Sequence, residues 1–309
     1  MRAIDVRGGA GPASALFIND SVPKPQPKPS ECLVKVKAFG LNRADTLQRE
    51  GKHPVPPGVT KAMGLEFSGV VEEVGSDTAA AGGEDYRVGD EVFGLTYGGA
   101  YAEYVAVSKK MLLRKPAELS WEECAAVPEL ASTPPKVYAT TRQDAKCGFV
   151  TRQIGARAAF NTTKSYPAAD GSAGGTWADE VKRVNGGEGV DLVIDFVGAP
   201  YFADNLAVLA KDGRVVQLGV MGGTILPAGV DISSFVMKRA SFVGSTLRSR
   251  DAEYQGKLRD LFAETVVPKL VKGDYRCSVQ RVLSWRKIEE AHGMLEGNVT
   301  MGKVVCLVD

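Results

Sequence analysis

The sequence predicts an α/β protein with a second, mainly β, domain, and three observations predict it. Residues 136–160 read as a short β-prone run, a polar turn through Thr141, Arg142, Gln143 and Asp144, and a helix. Ala145, Phe149, Val150 and Ile154 recur at helical spacing there until Gly155. Residues 190–197, VDLVIDFV, are a continuous apolar run of the kind buried on both faces of a parallel sheet. Residues 33–39 alternate instead, with Val34, Val36 and Ala38 against Lys35 and Lys37, as a half-buried antiparallel strand does.

Taken in order, residues 67–74, 91–95, 101–107 and 111–114 add strands to the first domain, punctuated by Gly75, Gly89 and the pair Gly98 and Gly99. The proline-rich stretch 23–29 and residues 76–87 read as surface loops. Ser120 followed by Glu123 is a capping box that opens a helix, and the chain changes class near residues 115–119. Residues 165–175 read as a Gly/Ser-rich loop, followed by a helix over 177–184 stopped by Asn185, Gly186 and Gly187. A helix near 201–209 and strands over 214–218 and 241–245 continue the alternation. The tail predicts helices over 253–265 and 285–295 and a last strand over 302–308 that returns to the first domain.

Composition narrows the function classes. A net charge of +1 with 24% charged residues gives no imbalance that would favour nucleic acid or a membrane surface. No apolar run approaches the ~18 residues of a membrane span and the N-terminus lacks a signal-peptide core, so a cytoplasmic location is expected. The five cysteines are scattered, with no C-x-x-C pair, and there are two histidines, His53 and His292. That leaves little for a disulfide framework or a His/Cys metal site. His292, on a tail helix, reads as structural.

Several motifs fall in one order along the chain: GLNRADTLQREG at 40–51, GLEFSGVVEEVG at 64–75, VGDEVFGL and GGAYAEYV within 88–105, SWEECAAVPE at 120–129, GVDLVIDFVG at 189–198, STLRSRD at 245–251, then AHGMLEGN and GKVV. Together they resemble the medium-chain dehydrogenase/reductase superfamily, and within it the zinc-free NADPH:quinone oxidoreductases related to ζ-crystallin. The resemblance implies a GroES-like β domain, residues 1–116 with 251–309, and a Rossmann-type doubly wound parallel sheet, residues 117–250. It implies NADPH as cofactor, a quinone or electrophilic enone as substrate, and a homodimer. Asn42 and Leu65 stand where the zinc-dependent branch has a cysteine and a histidine, so hydride transfer without a metal is expected.

Site residues follow from the same correspondence. Asn42, Asp45 and His53 are the substrate-side candidates; Asp45 and Arg49 stand at i and i+4, so a helix-surface ion pair is the alternative role of Asp45. Thr141, Arg142 and Lys146, after the second strand of the nucleotide fold, suit a 2′-phosphate better than a ribose hydroxyl. Phe196, Val197 and Gly198, then Gly219, Val220 and Met221, then Ser245, Thr246 and Leu247, follow successive strands and are expected to line the cofactor.

One unit that the resemblance implies is missing. Between Glu129 and Lys136 the family places about forty residues, including the first strand and a glycine-rich turn whose N–H groups hold a pyrophosphate. No G-x-G-x-x-G follows any strand here. In the order 3-2-1-4-5-6 that strand lies between the strands at 137–140 and 190–197. A sheet with an open seam, or one in which the flanking strands meet, is expected. The alternative function is then a catalytically impaired relative, a pseudoenzyme or exon-deleted product that at most binds ligands.

Overall fold

The computed structural model describes residues 1–52, 59–77, 85–127, 136–168 and 171–309. The chain divides into two compact units, Met1–Ser132 with Arg250–Asp309, and Thr133–Ser249.

The first unit opens with β1 (Ala3–Val6) and β2 (Leu16–Asn19), an antiparallel pair, then β3 (Glu31–Gly40) and helix α1 (Arg43–Arg49). Strands β4 (Glu66–Val74), β5 (Glu91–Leu95), β6 (Tyr104–Ser108) and β7 (Leu112–Arg114) follow, and then α2 (Trp121–Ala126). The alternation in β3 is realised: Val34, Val36 and Ala38 are buried while Lys35 and Lys37 are exposed. The capping box also forms, with Ser120 Oγ accepting from Glu123 N–H at 3.1 Å and Glu123 Oε2 from Ser120 N–H at 2.9 Å.

The second unit runs β8 (Tyr138–Thr141), α3 (Asp144–Phe149), β9 (Ala158–Asn161), the short hairpin β10 (Tyr166–Pro167) and β11 (Ala173–Gly175), and α4 (Trp177–Val184). It continues with β12 (Val190–Asp195), α5 (Phe202–Val208), β13 (Leu209–Gln217), α6 (Ser233–Met237) and β14 (Ser241–Gly244). The hairpin lies within the stretch read from sequence as loop. Helix α3 widens into a π-turn over Val150–Ile154 and ends at Gly155, whose φ of +87° is the left-handed stop that glycine adopts freely.

The tail adds α7 (Ala252–Thr265), α8 (Val267–Val271), β15 (Val279–Ser284), α9 (Ile288–Glu296) and β16 (Lys303–Leu307). Both strands join the first unit, completing a seven-stranded sheet of order β15-β16-β3-β4-β5-β7 with β6 also on β3. Strand β15 is absent from the sequence reading because only Leu283 of it is buried; an outermost strand lacks the alternation that identifies one. The core beneath this sheet holds Phe39, Phe67, Tyr101, Leu112 and Trp285, each essentially inaccessible.

The second unit contains two separate parallel pieces, β12-β13-β14 and β8-β9. Among the described residues no backbone hydrogen bond joins β8 to β12, so of the two outcomes expected for the missing strand, the open seam is the one found. Helix α4 holds the pieces together on one face: its Trp177, Ala178 and Val181 pack with Phe160, Val208, Tyr138, Val190 and Val193. The other face of β12 is bare, with Leu192 54% and Ile194 47% exposed. The strand expected to be buried on both faces is therefore buried on one. Among the described residues it has a single hydrogen-bonded neighbour, β13.

Candidate active site

Asn42 is placed by strand register. Strand β16 runs antiparallel to β3 with Val305 opposite Gly40, and Leu41 N–H donates to the Val304 carbonyl at 3.0 Å, so Lys303 comes opposite Asn42. On the other side β4 pairs Phe39 with Phe67, so Glu66 comes opposite Gly40. Gly40 is required there. An added Cβ would collide with the Glu66 carboxylate and stand 2.6 Å from the Ala125 carbonyl of α2. The Glu66 side chain lies across that gap and reaches Asn42.

The three side chains form a closed set. Asn42 Nδ2 donates to Glu66 Oε1 at 2.9 Å, Lys303 Nζ donates to Asn42 Oδ1 at 2.6 Å, and Lys303 Nζ lies 2.5 Å from Glu66 Oε1. Glu66 has no exposed surface, and its Oε2 has no hydrogen-bond partner among the described residues. Sequence reasoning quoted both Glu66 and Lys303 inside motifs without giving them a role. The signal was a charged residue at the head of the apolar run LEFSGVV.

Asp45 lies behind this set and is completely buried. Its Oδ2 accepts from Asn42 N–H at 2.8 Å, the acidic half of a capping box for α1, and its carboxylate is a close neighbour of the Tyr101 phenol. Burial, and then the neighbouring Asp45 carboxylate, push the Tyr101 phenol well above its usual range. Arg49 Nη1 donates to His292 Nδ1 at 3.3 Å, which leaves Nε2 as the protonated nitrogen facing Tyr101 Oη at 3.4 Å. Arg49 also pairs with Glu50 and Glu296. The surface pair considered for Asp45 and Arg49 is thus two buried groups with separate sets of partners, and His292, fully buried, has the structural place expected of it. His53 lies outside the described residues.

In the second unit the predicted loops leave the carboxyl ends of three adjacent parallel strands. Phe196 and Val197 carbonyls accept from Met221 and Gly222 N–H at 3.1 and 2.8 Å, so the loop after β12 is tied to the loop after β13. Gly198, at φ +92°, has no room for a Cβ, which would sit 2.7 Å from the Gly223 carbonyl. Asp195, buried and not singled out from sequence, organises this turn by accepting from Val197 and Gly198 N–H and from Asn205 Nδ2. Ser245 N–H donates to the Gln217 carbonyl, which brings the third loop, with Thr246 and Leu247, beside them.

At the end of β8, Thr141 Oγ1 accepts from Gln143 N–H and shapes the turn. Burial and then the Arg142 guanidinium hold the Lys146 ammonium below the usual lysine range, so two like charges have been brought close. Asp144, the one acid in this turn, is occupied by Lys164 at 2.8 Å and by Asn161.

Comparison with known proteins decides the family. Residues 28–117 match the alcohol dehydrogenase GroES-like domain, and residues 131–264 match the zinc-binding dehydrogenase family. The chain belongs to the medium-chain dehydrogenase/reductase superfamily. As a member of this oxidoreductase superfamily it is 29% identical to quinone oxidoreductase-like protein 2 of Rattus norvegicus over 267 residues, covering 74% of this chain and 71% of the relative. It is 26% identical to the quinone oxidoreductase of Lama guanicoe over 337 positions, covering 100% and 98%. Among solved structures, an NAD-dependent alcohol dehydrogenase superposes with a TM-score of 0.76 at 25% identity, with both chains covered completely. The Escherichia coli quinone oxidoreductase complexed with NADPH gives 0.77 at 21%, again over both whole chains, and shows the shared fold. The superfamily's pairing of a GroES-like domain with a Rossmann-like one is the architecture found here. Among the described residues no cluster of three His, Cys, Asp or Glu could hold a metal, and no helix is long and apolar enough to cross a membrane.

Proposed function

We propose that this chain is built as a zinc-independent NADPH:quinone oxidoreductase, passing a hydride to a quinone or a related electrophilic enone. The observation that carries the reading is the donor set at Asn42. A neutral amide backed by an internally neutralised Glu66–Lys303 pair, with apolar Leu65 beside Glu66 in sequence, offers neither thiolate nor imidazole to zinc. An amide N–H can still hold a carbonyl oxygen as it gains negative charge. A quinone is electrophilic enough to accept a hydride with that help alone.

NADPH would supply the hydride. Arg142 and Lys146, whose mutual repulsion an anion would relieve, with Thr141 beside them, suit its 2′-phosphate. The three linked loops at Phe196–Gly198, Gly219–Met221 and Ser245–Leu247 suit its ribose and adenine ends. The sequence has no glycine-rich turn for the pyrophosphate. Each charge-assisted hydrogen bond contributes roughly 1.5–3 kcal/mol, so replacing Arg142 and Lys146 together by alanine is expected to weaken NADPH binding at least about tenfold and leave NADH binding unchanged. Equal loss for both cofactors in a fluorescence titration would remove the 2′-phosphate role.

A second reading, a relative that no longer turns over, is favoured by the open seam. It is also favoured by the llama alignment, whose 337 positions exceed this chain's 309 residues and so leave at least 28 positions without a counterpart here. Purified protein with NADPH and 9,10-phenanthrenequinone separates the two. Saturable NADPH consumption above the protein-free rate supports the reductase, and none, with no NADPH binding, supports the impaired relative.

A further inference from the structure

We propose that Glu66 and Lys303 are positioning residues that lock the Asn42 amide in one orientation and present its second Nδ2 hydrogen to the substrate's carbonyl oxygen. The inference deepens the reductase reading and rests on it for the identity of the substrate.

An asparagine amide looks nearly the same after a half-turn about its last bond, so a lone asparagine in a site presents either a donor or an acceptor. Here the two ends face opposite charges. The carboxylate of Glu66 accepts from Nδ2, and the ammonium of Lys303 donates to Oδ1. A half-turn would set a carbonyl oxygen against a carboxylate and an NH2 against an ammonium, losing two charge-assisted hydrogen bonds at once in a place with almost no water access. The lock itself is rigid. Glu66 and Lys303 project from two strands that flank β3 in one sheet, Asn42 follows β3 directly, and Gly40 gives the carboxylate its space. The pair also neutralises itself, so it can set the amide's direction without placing a net charge beside a quinone that is about to become an anion.

With one hydrogen given to Glu66, Nδ2 has one left, and the lock fixes where it points. The Nδ2 end of Asn42 therefore meets the substrate as a donor, and the oxygen end is held at Lys303. Ground-state hydroquinones and alcohols, which need an acceptor for their O–H, gain less from this donor than quinones and enones.

The test reads the amide itself and so does not depend on turnover. In protein labelled with 15N-asparagine, the Asn42 side-chain pair is assigned as the signal lost in Asn42→Asp. Expected in the wild type are two widely separated proton shifts, the downfield one from the hydrogen given to Glu66, with exchange slowed at least about tenfold relative to exposed asparagines. Lys303→Arg keeps this signature. Lys303→Met frees Oδ1 and speeds the exchange while the downfield proton stays on Glu66, and the double variant Glu66→Gln with Lys303→Met loses both features without leaving a buried charge behind. A wild-type pair that exchanges like an exposed asparagine, or a folded double variant with an unchanged pair, overturns the lock. Adding 9,10-phenanthrenequinone, which has no free ring position for a thiol to attack, is expected to move the upfield proton. If it stays put at saturating quinone, the donor role fails. Where the wild type turns over, kcat in the double variant falls about tenfold or more with KM for NADPH unchanged. A wild type with a locked amide and no turnover counts against the reductase reading, while the lock stands.

Discussion

Glu66 is a carboxylate without exposed surface, and its neutralisation falls to one ammonium and one amide. Removing the ammonium alone leaves an uncompensated buried charge, so Lys303→Met is expected to cost about 3–5 kcal/mol in urea unfolding. The double variant with Glu66→Gln should cost much less, because breaking one half of a buried pair is worse than replacing both. Gly40→Ala forces a methyl into the carboxylate and the α2 backbone, for roughly 1–3 kcal/mol. His292 gives the fold a pH dependence. Burial and Arg49 lower its pKa from 6.5 to about 3, so between those values the unfolded chain binds a proton that the folded chain does not. Stability present above pH 6.5 is lost progressively as pH falls toward 3, by on the order of 4 kcal/mol. Urea midpoints across that range should fall less steeply in His292→Gln than in the wild type.

Among the elements, those with local instructions were legible in the sequence and those that depend on distant neighbours were not. Ser120 and Glu123 announce α2 because a capping box needs only four residues, and β3 announces itself through its lysines. Nothing local in residues 279–284 announces β15, which becomes a strand only by lying along β16. The short span between Glu129 and Lys136 was legible in the sequence, but whether β8 and β12 would meet depends on how α4 packs beneath both. The same limit applied to the site. Asn42 was found from its motif, whereas the roles of Glu66 and Lys303 come from two strand registers that no stretch of sequence contains. Because the outer face of β12 is bare, Leu192→Lys should change stability by no more than about 0.5 kcal/mol. Amides of β12 should exchange with solvent faster than those of β3, which has partners on both sides. A loss above 2 kcal/mol for Leu192→Lys, read by thermal melting, would mean that something covers that face.

For the whole molecule, the two units differ in how much core each possesses. Among the described residues the first buries one large cluster from Ile4 to Cys306 and two smaller ones around Ala125 and Phe93, while the second has only two small ones centred on Trp177 and Val215. Unfolding in urea is expected in two steps with the second unit first. The three tryptophans report on it: Trp177 belongs to the second unit, Trp121 and Trp285 to the first. In Trp177→Phe the early fluorescence change should vanish while the late one remains, and a single transition with all three tryptophans present would count against two steps. The first unit also has an order of manufacture. Strand β3 waits for β16, whose Lys303 lies 263 residues beyond Gly40. At ~5–20 residues per second of synthesis that is roughly 15–50 seconds. Throughout that interval the Ala38–Gly40 end of β3 has an open edge, since β6 covers only Glu31–Lys35, and Glu66 lacks Lys303. On the ribosome the sheet and the candidate site must therefore be completed in the same event, by residues made near the end of the sequence.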